Sequence, residues 1–289
     1  MVWMLLCITF GAQAQILWKI SGKDLPQPSY LLGTHHLAPL SIVDSIADFK
    51  QILSSVDQVY GELVMDDMKN PVHMQKMQQA ILLPGDTTLQ TLLSPAQYDS
   101  VAVKVKQFMG VDLKMLEKMK PAFLSSQLAV ILAMKSIPGF NPMQQLDGWI
   151  QTEAQKQGKK VGGLETMEMQ TNILFGSQSL QRQAEQLYAT VTHITETENL
   201  ARKMTEAYMQ QDLEKMETVM HEKMGNACDA LPEEEDKLIY DRNRNWIQLM
   251  PTLMKEHATL FAVGAGHLCG DRGVLHLLRE QGYTIEAVR

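Results

Sequence analysis

Four short apolar runs, spread along the chain, each lead into a residue that can do chemistry, and this pattern constrains the fold more than any other feature. Residues 29–32 run into Gly33-Thr34-His35-His36, and residues 258–263 run into Gly264-Ala265-Gly266-His267. Gln58-Val59-Tyr60-Gly61-Glu62-Leu63-Val64 and Lys160-Val161-Gly162-Gly163-Leu164-Glu165 each carry a carboxylate at or near their ends. Runs this short, aliphatic or aromatic and bounded by Gly, read as strands rather than helices. Helical spacing connects them: residues 41–56 after the first run, with Asp44 in the first turn, and residues 147–157 before Lys160, with Gly158 placed to end that helix. A strand, loop, helix, strand unit near one end and its mirror near the other predict a mixed α/β (α+β) fold. Its one central sheet would be built from two pseudo-repeated halves, each with a strand-to-GxxH and a strand-to-Glu segment. Residues 17–20, followed by the turn Lys23-Asp24-Leu25-Pro26, add a strand. Residues 283–288 add another, after a helix capped by Asp271 and ended by Gly282.

Between these pieces, residues 66–146 and 166–256 have helical spacing and no Gly/Ser linker, so they read as large helical insertions on or over the same sheet in a domain of residues 15–289. The run Glu233-Glu234-Glu235-Asp236 reads as a solvated helix start. Twenty methionines serve either as flexible core filler or as an adaptable groove. The first fourteen residues, an apolar run at 2–10 followed by Ala12-Gln13-Ala14, read as a signal peptide with a small-residue cleavage site, although the positive start of such leaders is missing. The alternative is a buried first strand. Leu6 before Cys7 is too bulky for a lipidation signal. An exported chain would be periplasmic or secreted, hence extracytoplasmic. No later apolar stretch approaches the ~20 residues of a transmembrane span. A net charge of −7 without a Lys/Arg cluster disfavours nucleic acid as a partner.

His36 and His267 at strand ends offer imidazole as a metal ligand or as a base near neutral pH. Glu62 and Glu165 offer an oxygen ligand and a proton-transfer group, so the four together suffice for metal-assisted hydrolysis. Each element has a plainer reading alone: a hydrogen-bonded structural His, or a Glu paired with a nearby Arg.

Leu31-Leu32-Gly33-Thr34-His35-His36, Tyr60-Gly61-Glu62-Leu63, Gly163-Leu164-Glu165-Thr166 with Gln170, Arg242-Asn243 before Trp246, and Val263-Gly264-Ala265-Gly266-His267-Leu268 resemble motifs of the TraB/GumN family, in family order. The resemblance implies kinship with the divalent-metal-dependent Tiki metalloproteases and, more distantly, with erythromycin-esterase and ChaN-like proteins. Relatives of one fold differ in chemistry, so kinship leaves the reaction open. Carried over, it makes His36, Glu62 and His267 metal ligands for Mn²⁺ or Co²⁺, Glu165 the proton-handling residue, Arg242 an oxyanion or substrate-carboxylate partner or a salt-bridge residue, and His35 an assisting neighbour. The implied function is a peptidase-like hydrolase with a peptide or small-molecule substrate. A ligand- or haem-binding protein without turnover and a metal-free esterase with a His base remain open beside it. Cys228 and Cys269, the cysteines left in an exported chain, are expected either as a disulfide or as two free thiols.

Overall fold

The computed structural model describes residues 15–289; the leader expected at residues 1–14 lies outside the described residues. Six strands, β1 (Leu17–Ser21), β2 (Ser29–Thr34), β3 (Gln58–Gly61), β4 (Lys160–Gly163), β5 (Thr259–Gly264) and β6 (Thr284–Ala287), form one mixed sheet in the order β4-β3-β5-β2-β1-β6. The four strands that lead to His or Glu are parallel to one another, and β1 pairs antiparallel with both β2 and β6. The two halves are interleaved. β5, the last of the four in sequence, sits between β3 and β2, so the two Glu strands adjoin and the two GxxH strands adjoin.

The period-2 alternation sends neighbouring residues of each central strand to opposite faces. Leu32, Val59, Leu260 and Ala262 belong to one buried cluster, with Phe49, Leu146, Ile150 and Tyr208. Leu31, Tyr60, Phe261 and Val263 belong to the other, with Trp246, Met250, Met254 and Leu278. Both faces are thus covered, which parallel strands require because their crossover connections place helices there.

The first cluster is closed by α1 (Phe49–Ser55), and α2 (Pro71–Ala80) follows β3. A helical body away from the sheet is built from α3 (Leu89–Leu92), α4 (Pro95–Met109) and α5 (Pro121–Ser136), around Leu89, Val101, Val105, Leu124 and Leu128. α6 (Leu146–Lys156) returns to the first face, and α7 (Met167–Gly176) leaves β4. α8 (Leu180–Thr192) joins the helical body through Ala184, Leu187 and Val191. α9 (Ile194–Met209) and α10 (Leu213–Met220) lie beside the first face through Tyr208 and Met216. A short α11 (Pro232–Glu235) and a π turn at Asp236–Tyr240 lead into α12 (Asp241–Glu256), which with α13 (Val274–Glu280) covers the second face. Among the described residues no helix is long and apolar enough to cross a membrane.

Local expectations depart from this in four places. The single helix expected over residues 41–56 is a 3₁₀ turn at Leu40–Asp44 and then α1, because Asp48 takes a left-handed φ of 52° that interrupts a helix. α13 is preceded by Gly273 at its N-cap rather than capped by Asp271. In the acidic run, Glu234 is not simply solvated: it accepts from Arg182 Nε at 2.8 Å, with both side chains under a fifth exposed. Cys228 and Cys269 are free thiols rather than a bridge: Cys228 Sγ lies beside Thr190, whereas Cys269 Sγ faces the carbonyls of Leu213 and Ala265. The methionines divide: Met216, Met250 and Met254 are core, while Met68, Met74, Met143 and Met169 are exposed.

Candidate active site

The carboxyl ends of β4, β3, β5 and β2 lie along one edge of the sheet, the edge at which open α/β sheets bind ligands. Glu62 follows β3 by one residue and Glu165 follows β4 by two. The backbone N–H of Leu164 still donates to Gly61 and that of Glu165 to Glu62, at 2.9 Å each, which carries the alignment of the two strands past their ends.

The glycines of the two GxxH segments are needed for close approach. A Cβ on Gly33 would lie 3.0 Å from Ala265 Cα and Cβ, so the first motif must be bare where the second packs on it. A Cβ on Gly264 would stand 3.2 Å from Glu62 Oε1, the oxygen that accepts the Gly264 N–H at 2.7 Å.

Arg242 joins the elements. α12 presents Arg242, Asn243 and Trp246, all buried, on its first turns at the sheet edge. The guanidinium donates from Nε to Glu165 Oε1 (2.7 Å) and from Nη2 to Glu165 Oε2 (3.0 Å), a bidentate pair. Nη2 also donates to Glu62 Oε2 (2.6 Å), while Nη1 donates to Leu238 O and to His267 Nε2, both at 3.0 Å. Because Arg has only donors, His267 Nε2 must carry its lone pair toward Arg242. The ring proton is then on Nδ1, which donates to Asn243 Oδ1 at 2.7 Å. Asn243 is itself oriented by donating to the His267 and Arg272 carbonyls.

The electrostatics follow from these contacts. Burial would push the Glu62 carboxyl up, but the charge of Arg242 and the Gly264 N–H hold it down at about 2, so it is ionised. Burial together with Arg242 lowers His267 to about 3 against the opposing pull of Glu62, so its imidazole stays neutral. Glu165 accepts a further bond from Trp246 Nε1 at 3.0 Å, and its side chain is 2% exposed.

His36 stands apart from this cluster. Its Nδ1 bonds Asp147 Oδ2 at 3.1 Å, Thr34 donates to the other oxygen of Asp147 at 2.8 Å, and the imidazole is 60% exposed. The hydrogen bond and charge of Asp147 raise His36 to about 9. His35 turns to the helical side, with Nε2 on Thr205 Oγ1 at 3.0 Å and its ring against Tyr208; burial and the neighbouring His36 lower it to about 4. Asp147, as the partner of His36, and Asn243, as the partner of His267, were not singled out as site residues from the sequence. An Asp in the first turn of a helix has a sufficient local explanation in the helix dipole, which concealed the role of Asp147.

The sequence profile of the TraB/PrgY/gumN family matches residues 16–287. The chain belongs to the TraB/PrgY/gumN family. Within that family it is 26% identical to metalloprotease TIKI2 of Danio rerio, over 93% of this chain and 60% of the relative. It is 23% identical to metalloprotease TIKI1 of Homo sapiens, over 93% and 61%, and 22% identical to a metalloprotease TIKI homolog of Amphimedon queenslandica, over 96% and 62%. The chain therefore spans about three fifths of the length of these relatives. No solved structure matches it. For a TraB/PrgY/gumN chain, both GxxH segments, both Glu segments and the Arg242-Asn243 pair thus fall at one end of the sheet.

Proposed function

We propose that this chain is a peptidase-like hydrolase acting outside the cytoplasm on peptide substrates, with Glu62, Arg242 and His267 at its reacting centre. The observation that carries this reading is the Arg242 node: a permanent cation and an ionised carboxylate beside a neutral, oriented imidazole, at the carboxyl edge of a parallel sheet. The five N–H groups of this guanidinium are donated to Glu165, Glu62, Leu238 and His267, so it would stabilise an oxyanion through its fixed positive charge, set in place before the reaction begins. Glu165 already receives three hydrogen bonds and is almost fully enclosed, so it is better placed to fix Arg242 than to relay a proton.

The donor chemistry suits a divalent cation. His267 has an orienting partner on Nδ1 and a lone pair on Nε2, His36 has Asp147 on its Nδ1, and Glu62 is ionised. His36, Glu62 and His267 would hold such an ion, Mn²⁺ or Co²⁺ by family kinship, and when bound it would polarise the scissile carbonyl and acidify a water. Glu62 Oε1 and His267 Nε2 lie 3.9 Å apart. In the arrangement described, Arg242 bonds to both, and no three such donors among the described residues converge closely enough to enclose an ion. That same contact favours a second reading, in which Arg242 alone stabilises the oxyanion of a metal-free hydrolase.

The test is metal content and peptide hydrolysis measured on the same preparations of His36→Ala, Glu62→Gln, His267→Ala and Glu165→Gln. The ligand variants are expected to lose metal and rate together. Glu165→Gln should keep metal and lose roughly 10²-fold or more in rate, through a misplaced Arg242. Hydrolysis that persists in chelator supports the metal-free reading, and wild-type rates in all four variants would refute the site.

A further inference from the structure

Beside the Arg242 node, a cleft of about 950 Å³ opens between α2 and α7. Glu165, which clamps Arg242, is one of its lining residues, so the cleft adjoins the residue that fixes the candidate site's cation. Met77 and Ala80 of α2 and Met167 and Phe175 of α7 are among its apolar lining residues. Each of the four is half-buried in the folded chain, and a methionine-rich lining adapts to side chains of different shape.

Among the charged residues that line this cleft, Asp67 and Lys120 have no ion-pair partner among the described residues. Lys76 on α2 pairs with Glu168 on α7 at 2.9 Å, and Glu165 is matched by Arg242. Lys120, at the N-cap of α5, has no carboxylate partner among the described residues; its Nζ donates to the Phe175 carbonyl at 2.8 Å. Burial lowers the pKa of this lysine, as expected for a charge whose desolvation no anion offsets. Lys120 and Phe175 also line a second cavity, with Leu82, Leu83 and Leu180, so Lys120 stands at a passage between two cavities rather than at a closed end. A chain entering beside Glu165 could continue past Lys120, which is the requirement for an internal segment of an extended peptide rather than for a terminal carboxylate.

Resting on the peptidase-like reading, we propose that the cleft between α2 and α7 is the subsite that selects the substrate: it takes an apolar residue of an extended peptide near the site, and Lys120 takes the carboxylate of an Asp or Glu further along the same segment. Selectivity arises because the acidic side chain meets an otherwise unmatched cation, whereas a basic one meets like charge next to an apolar wall. Lys120 acts on binding of the segment and not on the bond that breaks.

The experiment uses wild-type chain and a positional-scanning library of extended peptides in which a fixed Leu is accompanied by Glu, Gln or Lys at each other position. Hydrolysis and equilibrium binding by fluorescence anisotropy are measured on the same peptides. One position is expected to favour Glu over Lys by roughly fivefold or more, the scale of a half-exposed ion pair exchanged for a repulsion. Lys120→Glu should reverse that order at that position alone, and Lys120→Met should level it; melting temperatures near wild type establish that the variants fold. Binding with this charge order but without hydrolysis would support the subsite and refute the peptidase reading. Hydrolysis with no position that discriminates Glu from Lys would overturn the subsite and leave that reading standing. Absence of both binding and hydrolysis would overturn both.

Discussion

Arg242→Met removes the cation from between Glu62 and Glu165 while leaving an unbranched side chain in its place. Two carboxylates, 11% and 2% exposed, then share a site with no counter-charge. Deleting one partner of a buried ion pair costs about 3–5 kcal/mol, because the remaining charge is left without water or partner. A second route gives a similar figure. Glu62 is held at about 2 against an ordinary 4.5, a difference of 2.5, which corresponds to about 3 kcal/mol of favourable interaction. In the wild type the folded pKa is depressed, so this stabilisation is present above pH 4.5 and is lost as pH falls toward 2. The variant inverts the sign. Without Arg242, burial and the neighbouring carboxylate raise the Glu62 carboxyl, so acidification from about pH 7 to about pH 5 should stabilise the variant. Urea unfolding followed by circular dichroism at the two pH values measures this, and Arg242→Met/Glu165→Met should recover about half of the loss by removing one of the stranded charges. A loss under about 1 kcal/mol at neutral pH, or a variant that weakens on acidification as the wild type does, would refute the reasoning.

Gly33→Ala should destabilise by about 1–3 kcal/mol, since its Cβ would press at 3.0 Å on the backbone of the second GxxH segment; a melting temperature equal to wild type would show that the two loops can separate freely. In residues 15–289, Cys228 and Cys269 should both titrate as free thiols in denaturant without reductant. In the native state Cys269, whose thiol burial pushes up to about 12, should react more slowly than Cys228, as timed thiol labelling would record. The His36–Asp147 pair raises the folded pKa of His36, so its contribution is fully present below pH 6.5 and lost as pH rises through about 9. The ring is 60% exposed, which limits the effect to below about 1 kcal/mol, and Asp147→Asn should abolish this alkaline slope in a pH series of unfolding curves.

What was legible in the sequence was local. β2, β3, β4 and β5 announced themselves by short apolar runs bounded by glycine, and the His and Glu positions at their ends followed from the same runs, because side-chain alternation and glycine's missing Cβ act over a few residues. The break at Asp48 was not legible, since a left-handed residue inside an otherwise helical pattern depends on what packs around it. Nor was the absence of a Cys228–Cys269 bridge: two cysteines left in a chain expected to be exported permit a disulfide, but only the placement of each thiol against different elements excludes it in this fold. The strand order was decided in three dimensions, where β5 enters between β3 and β2 and sets the two GxxH segments side by side. The roles of the site residues were decided there too. Arg242 meets Glu62 across 180 residues and Glu165 across 77, and those contacts leave His267 neutral beside Glu62 while His36 stands outward on Asp147. Spacing along a chain cannot state which charge will be buried against which, because that pairing is a property of the packed elements and of the water they exclude.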